Sequence, residues 1–220
     1  MSLPWQTIAR VATAEGPLEL RQRGERDFLI TIDGRVLMTS QARRSEQALA
    51  TLSLRDRPPT RLRSVVVGGL GMGYTLCAAL ELLPAATSVT VVELNPDVVQ
   101  WCRGPLAPLT DSAVTDPRVT VVIGDVADFI AKAAPGSHDA ILLDLYEGPH
   151  AATQRPDDPL YGPAALTRSH AALAAGGVFA VWSEEPDRAF EQRLVRTGFA
   201  VHKKRSGGGG RAHLVYLGYT

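Results

Sequence analysis

Val65-Val66-Val67-Gly68-Gly69-Leu70-Gly71-Met72-Gly73-Tyr74 decides the fold. The consecutive valines have no polar alternation, which suits a strand covered on both faces, as in a parallel sheet. Glycines let the backbone bend sharply and approach a ligand with no side chain in the way. The apolar run from Tyr74 to Leu83 then reads as a helix. Strand, glycine-rich bend and helix, in that order, form the setting in which such a bend binds a nucleotide-like ligand. Taken alone, the same glycines would make only a packing turn.

Downstream the pattern repeats. Short apolar runs at Val89–Val92, Val119–Ile123, Ala140–Leu143 and Val178–Trp182 read as strands. Helical segments at Pro96–Cys102, Val126–Ala133 and Pro163–Ala174 lie between them. Asn95 before Pro96 predicts an N-cap, and Gly176-Gly177 a C-cap and turn. Pro186–Thr197 reads as a last helix, followed by strands at Phe199–Lys203 and Leu214–Tyr219 that form a hairpin around Ser206–Arg211. The expected fold is α/β: a Rossmann-like, doubly wound, mostly parallel seven-stranded sheet with an antiparallel C-terminal edge hairpin.

Upstream, Leu18–Arg23, Phe28–Ile32 and Val36–Thr39 are strand-like, with Asp33-Gly34 as a tight hairpin turn. Ser45–Leu54 reads as a helix, ended by a linker with Pro58-Pro59. Residues 1–60 are expected to form a small β cap with a linking helix, and 61–220 the nucleoside-binding catalytic domain.

The chain has 220 residues, 45% of them hydrophobic, and a formal net charge of zero. This is ordinary globular composition, and it predicts no broad electrostatic grip on nucleic acid. Cys77 and Cys102 lack CxxC neighbours and are expected to be buried reduced thiols, with no metal site. The best apolar run, Leu76–Ala86, is broken by Glu81 and Pro84, so no membrane span is expected. The N-terminus lacks a signal pattern, which makes the cytoplasm the expected compartment.

Ligands of open α/β sheets bind beyond the carboxyl ends of the strands, so the residues following each strand matter most. After the first strand come Gly68, Gly69, Gly71 and Gly73. After the second comes Glu93, at the spacing where an acid meets ribose hydroxyls; a carboxylate there can accept two such bonds. Asp125 follows the third strand, either as an N-cap alone or as a cap that also faces the ligand's base. Asp144 follows the fourth and opens a long loop, a length usual for lids and binding loops. Tyr146, Glu147 and His150 follow within it. Paired carboxylates can hold an amine, and one can take its proton. His150 can equally be an exposed loop histidine. Trp182 and its neighbours after the fifth strand either line an acceptor pocket or only lead into the next helix. The tip Ser206–Arg211, flanked by Lys203, Lys204 and Arg205, either clamps an acidic substrate or is a mobile hairpin end.

These residues, with Asp116-Pro117-Arg118-Val119, Ile123-Gly124-Asp125 and Asp139–Asp144, resemble the spermidine synthase family over residues 15 to 182. That family shares its core with the class I S-adenosylmethionine-dependent methyltransferases. The resemblance implies that Glu93 holds the ribose hydroxyls and Asp125 the adenine amino group. It implies that Asp144 deprotonates the attacking amine, that Glu147 grips the amine, and that the chain forms a homodimer. The aspartate that holds the aminopropyl ammonium in that family is replaced here by Gly71 or Met72. Its glutamine after the cap's turn is replaced by Leu37, its Asp-Ser-Ser-Asp-Pro loop by Asp144–Gly148, and its Tyr-His-Glu by Arg44-Ser45-Glu46. An ammonium buried without a carboxylate loses roughly several kcal/mol. The nucleoside half of the donor site is therefore kept and the tail half changed.

The expected activity is alkyl transfer, aminopropyl or methyl, from decarboxylated S-adenosylmethionine or S-adenosylmethionine to a small amine. Asp144 would be the base, and Tyr146, Glu147, His150 and Trp182 the acceptor contacts. Small-molecule methyl transfer and a non-catalytic nucleoside-binding protein are the alternatives. A nicotinamide-dependent dehydrogenase would need a Tyr-x-x-x-Lys or similar pair, which the sequence lacks.

Overall fold

The computed structural model describes residues 3–146, 148–153, 155–206 and 213–220. The amino-terminal strands β1 (Gln6–Thr13), β2 (Gly16–Arg23), β3 (Asp27–Ile32) and β4 (Arg35–Thr39) form an antiparallel meander. The β3–β4 turn has Asp33 at φ 46° and Gly34 at φ 75°, the two positive angles that a twisted two-residue hairpin requires. Leu18, Leu20, Phe28 and Ile30 bury one face of this sheet. Helix α1 (Arg44–Leu54) then leads to the larger sheet.

That sheet alternates with helices in chain order: β5 (Ser64–Gly68), α2 (Tyr74–Leu82), β6 (Ser88–Glu93), α3 (Pro96–Arg103), β7 (Val119–Ile123), α4 (Val126–Ala131) and β8 (His138–Leu143). It ends with α5 (Pro163–Ala172), β9 (Leu173–Ser183), α6 (Arg188–Thr197), β10 (Ala200–Arg205) and β11 (Leu214–Tyr219). The strand order is β10-β11-β9-β8-β5-β6-β7. Strands β5 to β9 are mutually parallel where they pair, and β11 runs antiparallel to both β9 and β10.

Alternate residues of the central strands feed different layers. Val65, Val67, Ala140 and Leu142 pack with α1, α2 and α3 residues, while Val66, Ile141 and Leu143 pack with α4, α5 and α6 residues. Each valine, leucine or isoleucine among them contributes about 1.5–3 kcal/mol of burial, which fixes the strand register and hence the height at which every strand ends.

The structure departs from the sequence reading at two places. Gly176 and Gly177 do not cap α5. They lie inside β9, which begins at Leu173 directly after the helix and pairs irregularly with β8 near Ala140. The physical reason is that α5 stops on an extended Leu173 rather than on a left-handed glycine. Strand β1 is an addition to the predicted cap. Residues 207–212 of the predicted hairpin tip lie outside the described residues.

Candidate active site

The order of the sheet reverses at β5, with β6 on one side and β8 on the other. Gly68, the last residue of β5, stands opposite Val92 and Leu143 in register, so Glu93, the last residue of β6, and Asp144, the first residue after β8, each lie one step beyond the end of β5. The Gly69 amide donates to the Val92 carbonyl at 2.9 Å, and the Asp144 amide donates to the Gly68 carbonyl at 2.8 Å. Gly69 has φ 86°, and a Cβ on it would come within 2.4 Å of the Asp144 carbonyl oxygen. The bend between β5 and α2 therefore lies directly against the chain entering the Asp144 loop, and only glycine fits at position 69.

Glu93 ties the bend to the second strand. Its Oε2 accepts from the Leu70 amide and its Oε1 from the Asn95 amide, each at 2.8 Å. Burial pushes its carboxyl above the ordinary value, and these backbone donors oppose that shift. The backbone N–H groups of Leu94 and Gly71 also act on this carboxylate and hold it in its charged form. Beyond Glu93 the surface is apolar and open. Leu94 is 71% exposed and Ile123, at the end of β7, is 50% exposed, while a Cβ on Gly124 would meet nothing within 4 Å. Asp125 caps α4, its Oδ1 accepting from the Ala127 amide at 2.7 Å, and its side chain is exposed.

On the other side of the bend is a cavity of about 320 Å³. Its lining includes Met38 of β4, Glu46 of α1, Gly71, Asp144, Tyr146 and Trp182. Glu184 and His213 also reach it. Asp144 Oδ2 accepts from the Thr75 hydroxyl at 2.6 Å. Removal from water, reinforced by the negative charge of Glu46, pushes the Asp144 carboxyl up to about 7, against the opposing Thr75 hydrogen bond. Glu46 is itself shifted upward by burial, although Ser45 Oγ donates to its Oε2 at 2.7 Å. An acid-lined cavity with a carboxyl titrating near neutrality can attract a cationic amine and take a proton from it.

Met38 explains the altered bend. The Met72 amide donates to its Sδ at 3.1 Å, and a Cβ on Gly71 would lie 2.9 Å from that sulfur. The thioether fills the space that an acidic side chain at position 71 would need. Cys102 donates to the Gly71 carbonyl at 3.3 Å, and burial pushes its thiol up to about 12. Both cysteines are free; Cys102 is buried as expected, whereas Cys77 on α2 is only half-buried.

The predicted residues thus fall into two groups around the glycine bend. Glu93 and Asp125 flank the open apolar surface, and Asp144, Tyr146 and Trp182 line the cavity. Tyr146 is 47% exposed, with the Arg35 guanidinium 5.0 Å from its ring centre. His150 is not brought into the cavity lining; its Nδ1 lies 3.0 Å from the Gly148 carbonyl. Glu147 lies outside the described residues. Sequence reasoning assigned no role to Met38, Glu46, Thr75 or His213. Thr75 carried a weak signal as a polar residue in the apolar start of α2. Among the described residues, no cluster of His, Cys, Asp and Glu could hold a metal ion, and no helix is long and apolar enough to cross a membrane.

Residues 46–197 match the model of the spermine/spermidine synthase domain. The chain is 36% identical over 132 residues to a polyamine aminopropyltransferase of Mycobacterium tuberculosis, covering 56% of this chain and 23% of that protein. It is 36% identical over 86 residues to putrescine N-methyltransferase 1 of Nicotiana tabacum, covering 39% of this chain and 22% of that protein. The chain therefore spans under a quarter of the length of these curated relatives. In fold it is similar to spermidine synthase from Thermotoga maritima, with a TM-score of 0.76 and 18% identity over 97% of this chain and 72% of that one. A probable spermidine synthase from Corynebacterium glutamicum gives 0.69 at 17% identity, over 96% of this chain and 79% of that one.

Proposed function

The chain belongs to the spermine/spermidine synthase domain family, and from that premise we propose that it transfers an alkyl group from an adenosyl sulfonium donor to a small amine. The observation that carries this reading is the pairing of two unlike sites across one glycine bend. An open apolar surface with a buried carboxylate suits a nucleoside. A partly open acidic cavity holding Asp144 suits an amine.

In this reading the adenine lies between Leu94 and Ile123, with Asp125 at its amino group and Glu93 on the ribose hydroxyls. The sulfonium carbon then faces the cavity. The amine arrives as an ammonium, drawn by Glu46, Asp144 and Glu184. Asp144 takes its proton, which frees the nitrogen lone pair. That lone pair forms the new N–C bond as the C–S bond breaks, and the sulfur leaves as a neutral thioether. Displacement of this kind needs alignment and one base, and the cavity supplies both. Tyr146 and Trp182 form walls for the acceptor's carbon chain, with Glu147 as a further acceptor contact.

Methyl transfer from S-adenosylmethionine is the second reading. It is favoured by the bend, which carries no acid for an aminopropyl ammonium and has Met38 packed over Gly71. The test is incubation with each donor and a panel of mono- and diamines, followed by mass spectrometry. A gain of an aminopropyl unit supports the first form and a gain of a methyl group the second. An unmodified panel with both donors overturns the reading.

A further inference from the structure

We propose that the Thr75 hydroxyl is a positioning group for Asp144 that serves its carboxyl in both protonation states, turning one proton between Asp144 Oδ2 and the main-chain carbonyl of Glu46. The inference rests on Asp144 being the base of the proposed transfer.

Thr75 is the second residue of α2 and is 2% exposed. Its Oγ1 lies 2.6 Å from Asp144 Oδ2 and 3.1 Å from the Glu46 carbonyl oxygen. A hydroxyl has one proton and two lone pairs. A carbonyl oxygen can only accept, and so can an ionised carboxylate. While Asp144 is charged, the single proton therefore serves one neighbour at a time, and the 2.6 Å contact has the length of a charge-assisted bond to the carboxylate. Once Asp144 has taken a proton, its own O–H donates to Thr75 Oγ1, and the Thr75 proton turns to Glu46. Both contacts are then satisfied.

A base must be held in place before and after it accepts a proton. A neighbour that only donates, such as lysine, would leave the new carboxyl O–H without an acceptor after the transfer, and one that only accepts would have no donor to bond before it. A hydroxyl with a fixed acceptor behind it serves both states. The acceptor comes from α1, whose Glu46 side chain lines the same cavity, so the arrangement also ties α1 to α2 at the site. The Asp144 carboxyl, at about 7, makes both states accessible at neutral pH. The other titratable groups around it are Glu46 of α1, Tyr146 and Tyr161 between β8 and α5, Glu184 beyond β9 and His213 before β11.

The test compares Thr75→Val, which keeps the shape and removes the hydroxyl, with Thr75→Ser, which keeps the hydroxyl. The first readout is the Asp144 carboxyl titration, followed by carbon-13 NMR in the ligand-free protein. The second is kcat/KM against pH. In Thr75→Val the ionised carboxylate loses its donor, so titration moves upward by about one pH unit, and kcat/KM falls on the order of tenfold with KM little changed. Thr75→Ser restores both to near wild type. A wild-type titration curve in Thr75→Val, or a serine variant that behaves like the valine one, overturns the proposal. If Thr75→Val does not fold, Thr75→Ala carries the same expectations. Absence of product from every protein, wild type included, would count against the transferase reading, and the titration would still decide the role of Thr75.

Discussion

Asp144→Asn should make the protein more stable at pH 8 and leave its stability at pH 4 unchanged. The carboxyl titrates at about 7 in the folded chain, above its ordinary 3.8, because it is held out of water beside Glu46. The folded state therefore holds this proton more tightly than the unfolded state. Below about pH 4 both states are protonated and the residue costs nothing. As pH rises from about 4 to 7 the unfolded chain ionises first, so stability falls, and the loss is complete above about 7. The gap between 3.8 and about 7 corresponds to about 4 kcal/mol. The residue is only partly buried and faces an open cavity, so solvent screening reduces this to about 2 kcal/mol. Asparagine keeps the shape and still accepts from Thr75. For a chain of this size the gain is a rise in Tm of about 4–8 °C at pH 8, disappearing by pH 4. Thermal melts followed by circular dichroism across that range check it. A variant no more stable than wild type at pH 8, or equally stabilised at pH 4, would refute the reasoning. Transfer activity in the same variant should fall about 10²–10⁴-fold, so the site gives up stability for function.

Gly69→Ala should destabilise the chain by about 3 kcal/mol or more, since it adds left-handed backbone strain to a clash with a main-chain oxygen; urea denaturation reads this directly. Asp125→Ala should cost about 1 kcal/mol through loss of the α4 cap. Asp125→Ser should keep the cap yet bind an adenosyl ligand several-fold more weakly, because the shorter side chain cannot reach the base; unchanged affinity in calorimetry would assign Asp125 to the helix alone.

The larger sheet was legible because its central strands are covered on both faces and so appear as unbroken apolar runs such as Val65–Val67. The caps were legible because they are local: Asn95 Oδ1 accepts from the Asp97 amide and Asp125 Oδ1 from the Ala127 amide, each two residues away. Strand β1 escaped because most of its residues are exposed, leaving no apolar alternation to read. Gly176-Gly177 misled because a glycine pair after a helix usually ends it, whereas here it bends a strand that has already begun. Glu93 and Asp144 could be singled out because one ends its apolar strand and the other directly follows its own. Glu46 and Thr75 could not. Thr75 meets Glu46 across 29 residues and Asp144 across 69, through packing of α1 on α2 that no sequence spacing records. Nothing in the sequence indicated that Met38 would cross from the amino-terminal sheet to cover Gly71.

Methylthioadenosine carries the adenosine and sulfur common to both candidate donors, so titrating it into the wild-type protein by calorimetry probes the nucleoside site without assuming which group is transferred. Saturable one-to-one binding with Kd on the order of micromolar, weakened at least about tenfold in Glu93→Ala, is the predicted result. No measurable heat at millimolar ligand, or equal binding by the two proteins, would contradict it.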